Sequence, residues 1–255
     1  MSESVNRFTS RVETYAKYRP GYPAEIVDLL RRECGLTSDS IVADIGSGTG
    51  KLTELFLANG NVVFGVEPNA SMREVAENIF KNRPNFRSVD GSAESTTLPD
   101  ASVDVITAGQ AFHWFDAANT RKEWVRILKP GGWAALIWNA RELQRTPFLH
   151  DYEEMMLEFG TDYKDVRHEN TEQSIGAFFA PDEFELRSFP NTQVFDFEGL
   201  QGRVRSSSYT PEPDHPKFNP MMHRLKTIFD KHNKNAHVNF DYETKVFYGH
   251  LSPAS

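Results

Sequence analysis

A glycine-rich segment is the part of the sequence whose residue types and spacing point most directly to chemistry. Residues 42–53 read VADIGSGTGKLT, in which Gly46, Gly48 and Gly50 stand at alternate positions after an apolar run. Because glycine has no Cβ, it accepts positive φ angles and lets a ligand approach the backbone closely. Three such residues between a predicted strand and a predicted helix favour a ligand-binding loop over a plain tight turn.

The spacing of residues in this loop departs from two known nucleotide-binding motifs. The dinucleotide fingerprint is G-x-G-x-x-G, whereas the chain has G-x-G-x-G. The phosphate-binding loop is G-x-x-x-x-G-K-[ST], but Ile45 stands at its first glycine and Leu52 at its hydroxyl residue. The spacing therefore disfavours phosphate binding, and an NAD(P)-dependent oxidoreductase is kept as an alternative.

An acidic residue ends the second predicted strand. Glu67 follows NVVFGV, at the separation from the glycine loop where dinucleotide folds place a ribose-binding carboxylate. A carboxylate there can accept hydrogen bonds from both hydroxyls of a ribose. The alternative is an ordinary solvated carboxylate, and the neighbouring glycine loop favours the ribose role.

Candidates for catalysis lie around the segment QAFHWFD. His113 follows the fourth predicted strand at its carboxyl end, where open α/β sheets bind ligands, and could act as a base or as a hydrogen-bond donor to substrate. A purely structural histidine is the alternative. Tyr18 could line the same pocket. Ser206–Tyr209 could simply form a loop and cap, or could face a substrate, as the family resemblance given below implies. Lys51 is predicted to be a solvated residue at a helix start.

Alternating strands and helices over the first 140 residues must position these groups. They predict an α/β fold: a doubly wound, Rossmann-like, mostly parallel seven-stranded sheet with helices on both faces and an antiparallel C-terminal strand. The predicted strands are 40–45, 61–67, 86–89, 103–108 and 133–138, and the predicted helices are 23–36, 51–59, 70–81 and 116–128.

The second half of the sequence is less regular. It predicts helices over 148–159 and 221–230, two strand pieces around Pro190 within 184–197, and a strand over 237–251. Residues 161–180 are polar and poorly periodic. We predict one domain over residues 1–255, with a cofactor-binding core at about 37–140 and lid-like insertions at about 141–182 and 198–235.

Composition restricts the class of protein. A chain of 255 residues with 39% hydrophobic and 25% charged residues is typical of a soluble globular protein. Its net charge of −8 argues against a nucleic-acid partner, because DNA and RNA repel an acidic surface. The lone Cys34 and the scattered histidines predict no metal site, and no apolar run is long enough to span a membrane. We expect a cytoplasmic monomer or homodimer.

The ordered motifs of the chain resemble a known family. VADIGSGTGKLT, FGVEPNASM, GSAESTTLPDASVDVI, QAFHWFD and ILKPGGWAALIWN are similar, in this order, to the motifs of class I S-adenosylmethionine-dependent methyltransferases. The similarity is greatest to the type 11 group, which includes trans-aconitate methyltransferase-like enzymes, and the leader YAKYRPGYP resembles the N-terminal segment of that group. The resemblance covers roughly residues 10–140 and implies S-adenosylmethionine as cofactor.

The resemblance also implies roles for individual residues. Asp44 and the glycine-loop backbone would hold the methionine part of the cofactor, Glu67 the ribose hydroxyls, and Arg19 the carboxylate. Tyr18 would fold over the cofactor and Gln110 would lie beneath its methionyl group. The implied cofactor-binding residues are Tyr18, Arg19, Asp44, Gly46, Ser47, Gly48, Gly50, Glu67, Pro68, Met72, Ser92, Ala93, Glu94 and Gln110.

The adenine side of the implied site departs from the family pattern at one residue. Pro68 and Met72 would lie near the adenine ring, and Ala93 and Glu94 along its edge. Ser92 stands where many relatives carry aspartate, so its hydroxyl would accept more weakly from the exocyclic amine. The sequence as a whole favours methyl transfer to a small-molecule acceptor, through a carboxylate or another oxygen. The alternatives are an oxidoreductase and a non-catalytic module that binds the cofactor.

Overall fold

A seven-stranded sheet forms the centre of the protein. The computed structural model describes residues 12–161, 163 and 171–253. The strands are β1 (Ile41–Ile45), β2 (Val62–Val66), β3 (Phe86–Val89), β4 (Val103–Gly109), β5 (Leu128–Arg141), β6 (Phe184–Phe195) and β7 (Val238–Gly249). They lie in the order β3-β2-β1-β4-β5-β7-β6, and the first five pair in parallel. β7 is antiparallel to both β5 and β6, which confirms the predicted fold class.

Helices surround this sheet. They are α1 (Val12–Tyr18), α2 (Glu25–Cys34), α3 (Thr53–Ala58), α4 (Ala70–Phe80), α5 (Ala117–Ile127), α6 (Pro147–Phe159), α7 (Thr171–Phe179), α8 (Phe197–Arg205) and α9 (Phe218–His232). A short 3₁₀ turn spans Phe112–Trp114. Over the described ranges, no helix combines the length and the apolar character that crossing a membrane requires.

The central parallel strands β1 and β4 are buried on both faces, as is typical of apolar crossover strands. Within β1, Val42 joins one apolar cluster, with Ile26 and Phe56, while Ile45 joins a second one around Trp124. The rigid centre of the sheet therefore fixes where the chain emerges at its carboxyl ends.

A third apolar cluster lies under the C-terminal helices. Residues of α6, α8 and α9, among them Tyr152, Leu200 and Leu225, pack against Phe240 and Tyr242 of β7. The helices of the predicted lid thus have an apolar core of their own. The division into a core and two insertions stays a prediction, and its residues 1–11, 162, 164–170 and 254–255 lie outside the described residues.

One expectation for the second half was wrong, and two helices lie where the sequence predicted no element. Residues 184–195 form one strand rather than two pieces, because β6 is the edge strand and an edge position tolerates Pro190, which lacks an N–H. Residues 171–179 and 197–205 are helical, although neither stretch shows a clear helical period. Helix α8 carries Arg203, which lines the pocket described below.

Candidate functional site

The glycine loop connects β1 to α3 in a conformation that requires glycine. Gly46, Gly48 and Gly50 have φ angles of 66°, 55° and 86°. A Cβ on Gly46 would lie 2.7 Å from the Cβ of Ala111, and one on Gly50 would lie 2.3 Å from the Phe80 ring. A Cβ on Gly48 would meet only the sulfur of Met72, at 3.6 Å, so the loop is open on that side.

Glu67 lies directly after β2 and faces this loop. Its Oε2 accepts the Gly48 N–H at 3.0 Å and its Oε1 accepts the Asn69 N–H at 2.9 Å. The residue is 8% exposed, and burial raises the pKa of its carboxyl above the ordinary value, although these two N–H donors and Arg73 oppose the rise. A buried carboxylate aimed at a glycine loop is the arrangement that the sequence predicted.

Asp44 is buried near the carboxyl end of β1. Its carboxylate accepts hydrogen bonds from the Thr53 hydroxyl at 2.7 Å and from the Thr107 hydroxyl at 3.2 Å. Burial raises the pKa of Asp44 to about 7, because these hydroxyls offset only part of the loss of hydration. The predicted contact with the methionine part of a cofactor stays a prediction.

The residues predicted to hold an adenine ring lie in two segments, one directly after Glu67 and one after β3. Met72 is buried in the first turn of α4, where its N–H donates to the Asn69 side chain at 3.1 Å. Ser92 and Ser95 form an isolated bridge on either side of the buried Ala93. The Glu94 carboxylate accepts the Asp116 N–H at 2.9 Å, so this loop is joined to the start of α5. Pro68, between Glu67 and α4, is exposed.

A pocket lies next to the glycine loop, over the ends of β4 and β5. Gln110, which follows β4, has a φ of 56°, and its side-chain oxygen accepts the Asn139 N–H at 2.9 Å. A positive φ is costly for a residue with a side chain, and such strain is typical of functional sites. The pocket is lined by Arg19, Pro20, Tyr22, Lys51, Gln110, Asn139, Arg203 and Tyr242.

The segment after α1 covers one side of the pocket. The Arg19 guanidinium donates to the Ser206 carbonyl at 2.9 and 3.3 Å. The Tyr18 ring packs on α8, where a Cβ on Gly202 would lie 2.3 Å from it, and the Tyr18 carbonyl accepts from Gln193 at 3.2 Å. The leader predicted to fold over the cofactor is thus anchored on α8 and β6.

Sequence reasoning predicted Arg19 and Gln110 for this site and missed the other residues that line the pocket, of which Lys51 and Arg203 are charged. Lys51 was expected to be solvated, but it is half-buried and lines the pocket, and burial lowers its pKa. Arg203 is 3% exposed and lies on α8, a helix that the pattern did not predict. The only signal for Arg203 was its closeness to Ser206–Tyr209, which the sequence did place near a possible acceptor.

His113 lies in the 3₁₀ turn after β4, at the predicted edge of the sheet. Its ring centre is 4.5 Å from that of Trp114 and 5.3 Å from that of Trp138. The residue is exposed and is not among the residues that line the pocket. A catalytic role for His113 or Tyr18 stays a prediction.

Among the described residues, one cluster of side chains has the residue types that bind metal ions. It lies far along the chain from the glycine loop. His150, Asp151 and Glu154 place ligand atoms within 4.8 Å of one another. The Asp151 carboxylate is paired with His232 at 2.6 Å and Lys231 at 2.8 Å, and these partners lower its pKa to about 2. Its charge is therefore already balanced by the protein.

Comparison with known proteins agrees with this geometry. Residues 43–136 match the model of a family described as a methyltransferase domain. An uncharacterized methyltransferase of Schizosaccharomyces pombe is 37% identical over 136 residues, an alignment that spans 53% of this chain and 53% of that relative. A methyltransferase-like protein of the same yeast is 27% identical over the full length of both chains. The chain thus matches about half the length of the more similar of these two relatives.

The fold comparison extends beyond the matched segment. A candidate type II methyltransferase from Anaeromyxobacter dehalogenans superposes with a TM-score of 0.67 at 19% identity, covering 93% of this chain and all of that one. At this identity the likeness concerns the fold alone. The family match is confined to residues 43–136, and the order of the strands agrees with the fold that the motifs predicted.

Proposed function

We propose that the protein transfers a methyl group from S-adenosylmethionine to a small-molecule acceptor, through an oxygen atom such as that of a carboxylate. The observation that carries this proposal is the hydrogen bond from the Gly48 N–H to the buried Glu67 carboxylate. This hydrogen bond holds a buried carboxylate against an open glycine loop, where we propose that it accepts the ribose hydroxyl groups.

The residues fit such a cofactor. A carboxylate offers about four acceptor positions, and Gly48 and Asn69 occupy two, so Glu67 can accept two ribose hydroxyls as well. The side of the loop at Gly48 is open as far as Met72, a soft apolar contact for an adenine ring. The hydroxyl oxygen of Thr49, in the same loop, is buried and has no hydrogen-bond partner among the described residues.

The chain would act by alignment and by exclusion of water. The bound cofactor supplies a sulfonium methyl group that is already activated, so transfer is an in-line displacement. Gln110, fixed by Asn139, and the Arg19 segment would hold the two reactants against each other. A carboxylate acceptor needs no base, whereas a protonated acceptor would need one, for which His113 is the candidate.

An oxidoreductase of the same fold is the less favoured function, because the glycine spacing departs from the dinucleotide fingerprint. Enhancement of NADH fluorescence by the protein would support that alternative, and we expect none. A non-catalytic module would bind S-adenosylhomocysteine but release none from S-adenosylmethionine across a panel of metabolites. We expect release with at least one metabolite. If no class of metabolite led to release of S-adenosylhomocysteine, the non-catalytic module would be the favoured function.

The proposal also includes the setting of the reaction. The net charge of −8 supports a small-molecule acceptor over nucleic acid. We further propose a cytoplasmic monomer or homodimer that acts away from membranes. Gel filtration with light scattering tests the oligomeric state, and a mass above that of a dimer would contradict it.

A further inference from the structure

The wall of the pocket carries an excess of positive charge. Arg19, Lys51 and Arg203 all line it, and no aspartate or glutamate is among its lining residues. This contrasts with a chain whose net charge is −8. Clustered cations in a chain of the opposite sign point to an anionic ligand, since they repel one another when nothing neutralises them.

Arg203 is the most buried of the three. Its Nε donates to the Tyr242 hydroxyl at 2.9 Å and its Nη1 donates to the Ser207 hydroxyl at 3.0 Å. Both acceptors are neutral, and among the described residues no carboxylate oxygen lies within 4.0 Å of its guanidinium nitrogens. A buried guanidinium is costly without an anionic partner. It is held in place by the rings of Phe240 and Tyr242, at 5.3 and 5.9 Å.

The buried carboxylate of Glu153 does not supply the missing negative charge. Arg141 lies 3.6 Å from Glu153, whose carboxylate also accepts from the Tyr163 hydroxyl at 2.5 Å. The Glu153 carboxylate is thus paired with Arg141. Lys51 has Glu54 in its neighbourhood, but Glu54 is exposed to solvent.

The cofactor does not balance these charges either. S-adenosylmethionine carries a sulfonium, an ammonium and one carboxylate, so it is a net cation. If Arg19 holds the cofactor carboxylate, Lys51 and Arg203 remain beside a positively charged sulfonium. We propose that Arg203 and Lys51 bind an oxyanion, a carboxylate or a phosphate, of the methyl acceptor. This inference rests on the proposed function and narrows its acceptor to anionic small molecules.

The test measures the binding of anions and of cofactor separately. Titration calorimetry in the presence of S-adenosylhomocysteine compares succinate, glutarate and benzoate with their amides, and inorganic phosphate is titrated in a sulfate-free buffer. The proteins are the wild type, Arg203→Met, Lys51→Gln and the control Arg205→Gln, whose side chain is exposed on the same helix. Arg203→Met keeps an apolar side chain in place of the apolar part of the arginine. If this substitution disturbs α8, Lys51→Gln still tests the side of the pocket next to the glycine loop.

We expect the wild type to bind at least one anion about tenfold more tightly than its neutral counterpart, a difference of about 1.4 kcal/mol. Arg203→Met and Lys51→Gln should remove this preference and keep the affinity for S-adenosylhomocysteine within about threefold, while Arg205→Gln should change neither. Tighter binding of the carboxylates would identify the oxyanion as a carboxylate, and tighter binding of phosphate would identify it as a phosphate. Equal binding of acids and amides by the wild type would overturn the inference, as would a loss confined to cofactor affinity in Arg203→Met. Absence of S-adenosylhomocysteine binding by the wild type would instead overturn the proposed function.

Discussion

The Gly48 N–H lies 3.0 Å from the Glu67 carboxylate, so the glycine loop after β1 and the end of β2 are directly joined. The bond fixes the side-chain orientation of Glu67 before any ligand binds. It also keeps the carboxylate able to ionise in spite of its burial, because a backbone N–H favours the charged form. Preorganisation of this kind lowers the entropy lost on binding.

Replacement of Glu67 should therefore weaken the binding of cofactor with little change in the fold. Glu67→Ala removes two expected hydrogen bonds from ribose hydroxyls to a charged acceptor, each worth about 1.5–3 kcal/mol. Because two such bonds amount to about 3 kcal/mol or more, we expect affinity for S-adenosylhomocysteine to fall at least about a hundredfold by calorimetry. Glu77→Gln, at an exposed position of α4, is the control and should bind like the wild type. Equal affinities in Glu67→Ala and the wild type would remove the ribose role.

Alanine in place of Gly50, in the glycine loop, should destabilise the protein more than alanine in place of Gly131, a glycine outside the loop with a similar φ angle. Gly50 and Gly131 both have positive φ angles, but a Cβ would meet Phe80 only at Gly50 and open space at Gly131. Strain alone costs about 1–2 kcal/mol, and overpacking adds about 1–3 kcal/mol. Urea unfolding should show Gly50→Ala to be the more destabilised variant. Equal losses in both would mean that the Phe80 contact relaxes without cost.

Asp44 should make stability depend on pH in a predictable direction. Because burial raises its pKa to about 7 from an ordinary 3.8, the folded protein holds a proton there that the unfolded chain has released. Its contribution to stability is therefore full below about pH 4 and is lost as the pH rises through about 7. The amide of the Asp44→Asn variant cannot titrate, so the free energy of unfolding of this variant relative to wild type should increase from pH 5 to pH 7.5. A difference that stays constant over this range would contradict the burial of an ionisable Asp44.

Tyr209 offers a spectroscopic test of the positive charge that Arg203 and its neighbouring arginines provide. Burial alone would raise the pKa of this phenol, but the guanidinium groups of Arg141, Arg203 and Arg19 lower it to about 8. Arg203→Met should shift the tyrosinate absorbance step assigned to Tyr209 to higher pH, and Tyr209→Phe should remove that step. Arg205→Gln should leave it in place. A step unaffected by Arg203→Met would show that Arg203 does not act on Tyr209.

The N-terminal half of the fold could be predicted because its signals are local. Apolar β-branched runs such as VVFGV mark buried strands, and Gly35 and Gly60 follow helices at left-handed positions. The glycine loop and Glu67 were recognisable because strand ends dictate where they meet. Fold class and both of these elements therefore follow from residues close together in sequence.

The place of Arg203 in the pocket could not be predicted in the same way. Helix α8 contains Gly199 and Gly202, which weaken any helical pattern, and Gly202 is required by the distant Tyr18 ring. Arg203 is buried only because Tyr242 and Phe240, from β7, surround it. Long-range contacts between the two halves of the chain thus determine the pocket, and no local pattern records them.

The most direct test of the central claim is calorimetric titration of the wild-type protein with S-adenosylmethionine, with NADH titrated under the same conditions. The account predicts saturable binding of S-adenosylmethionine at one site per chain and no saturable binding of NADH. Saturable binding of NADH, or no binding of S-adenosylmethionine, would contradict the assignment of the glycine loop and Glu67 to this cofactor.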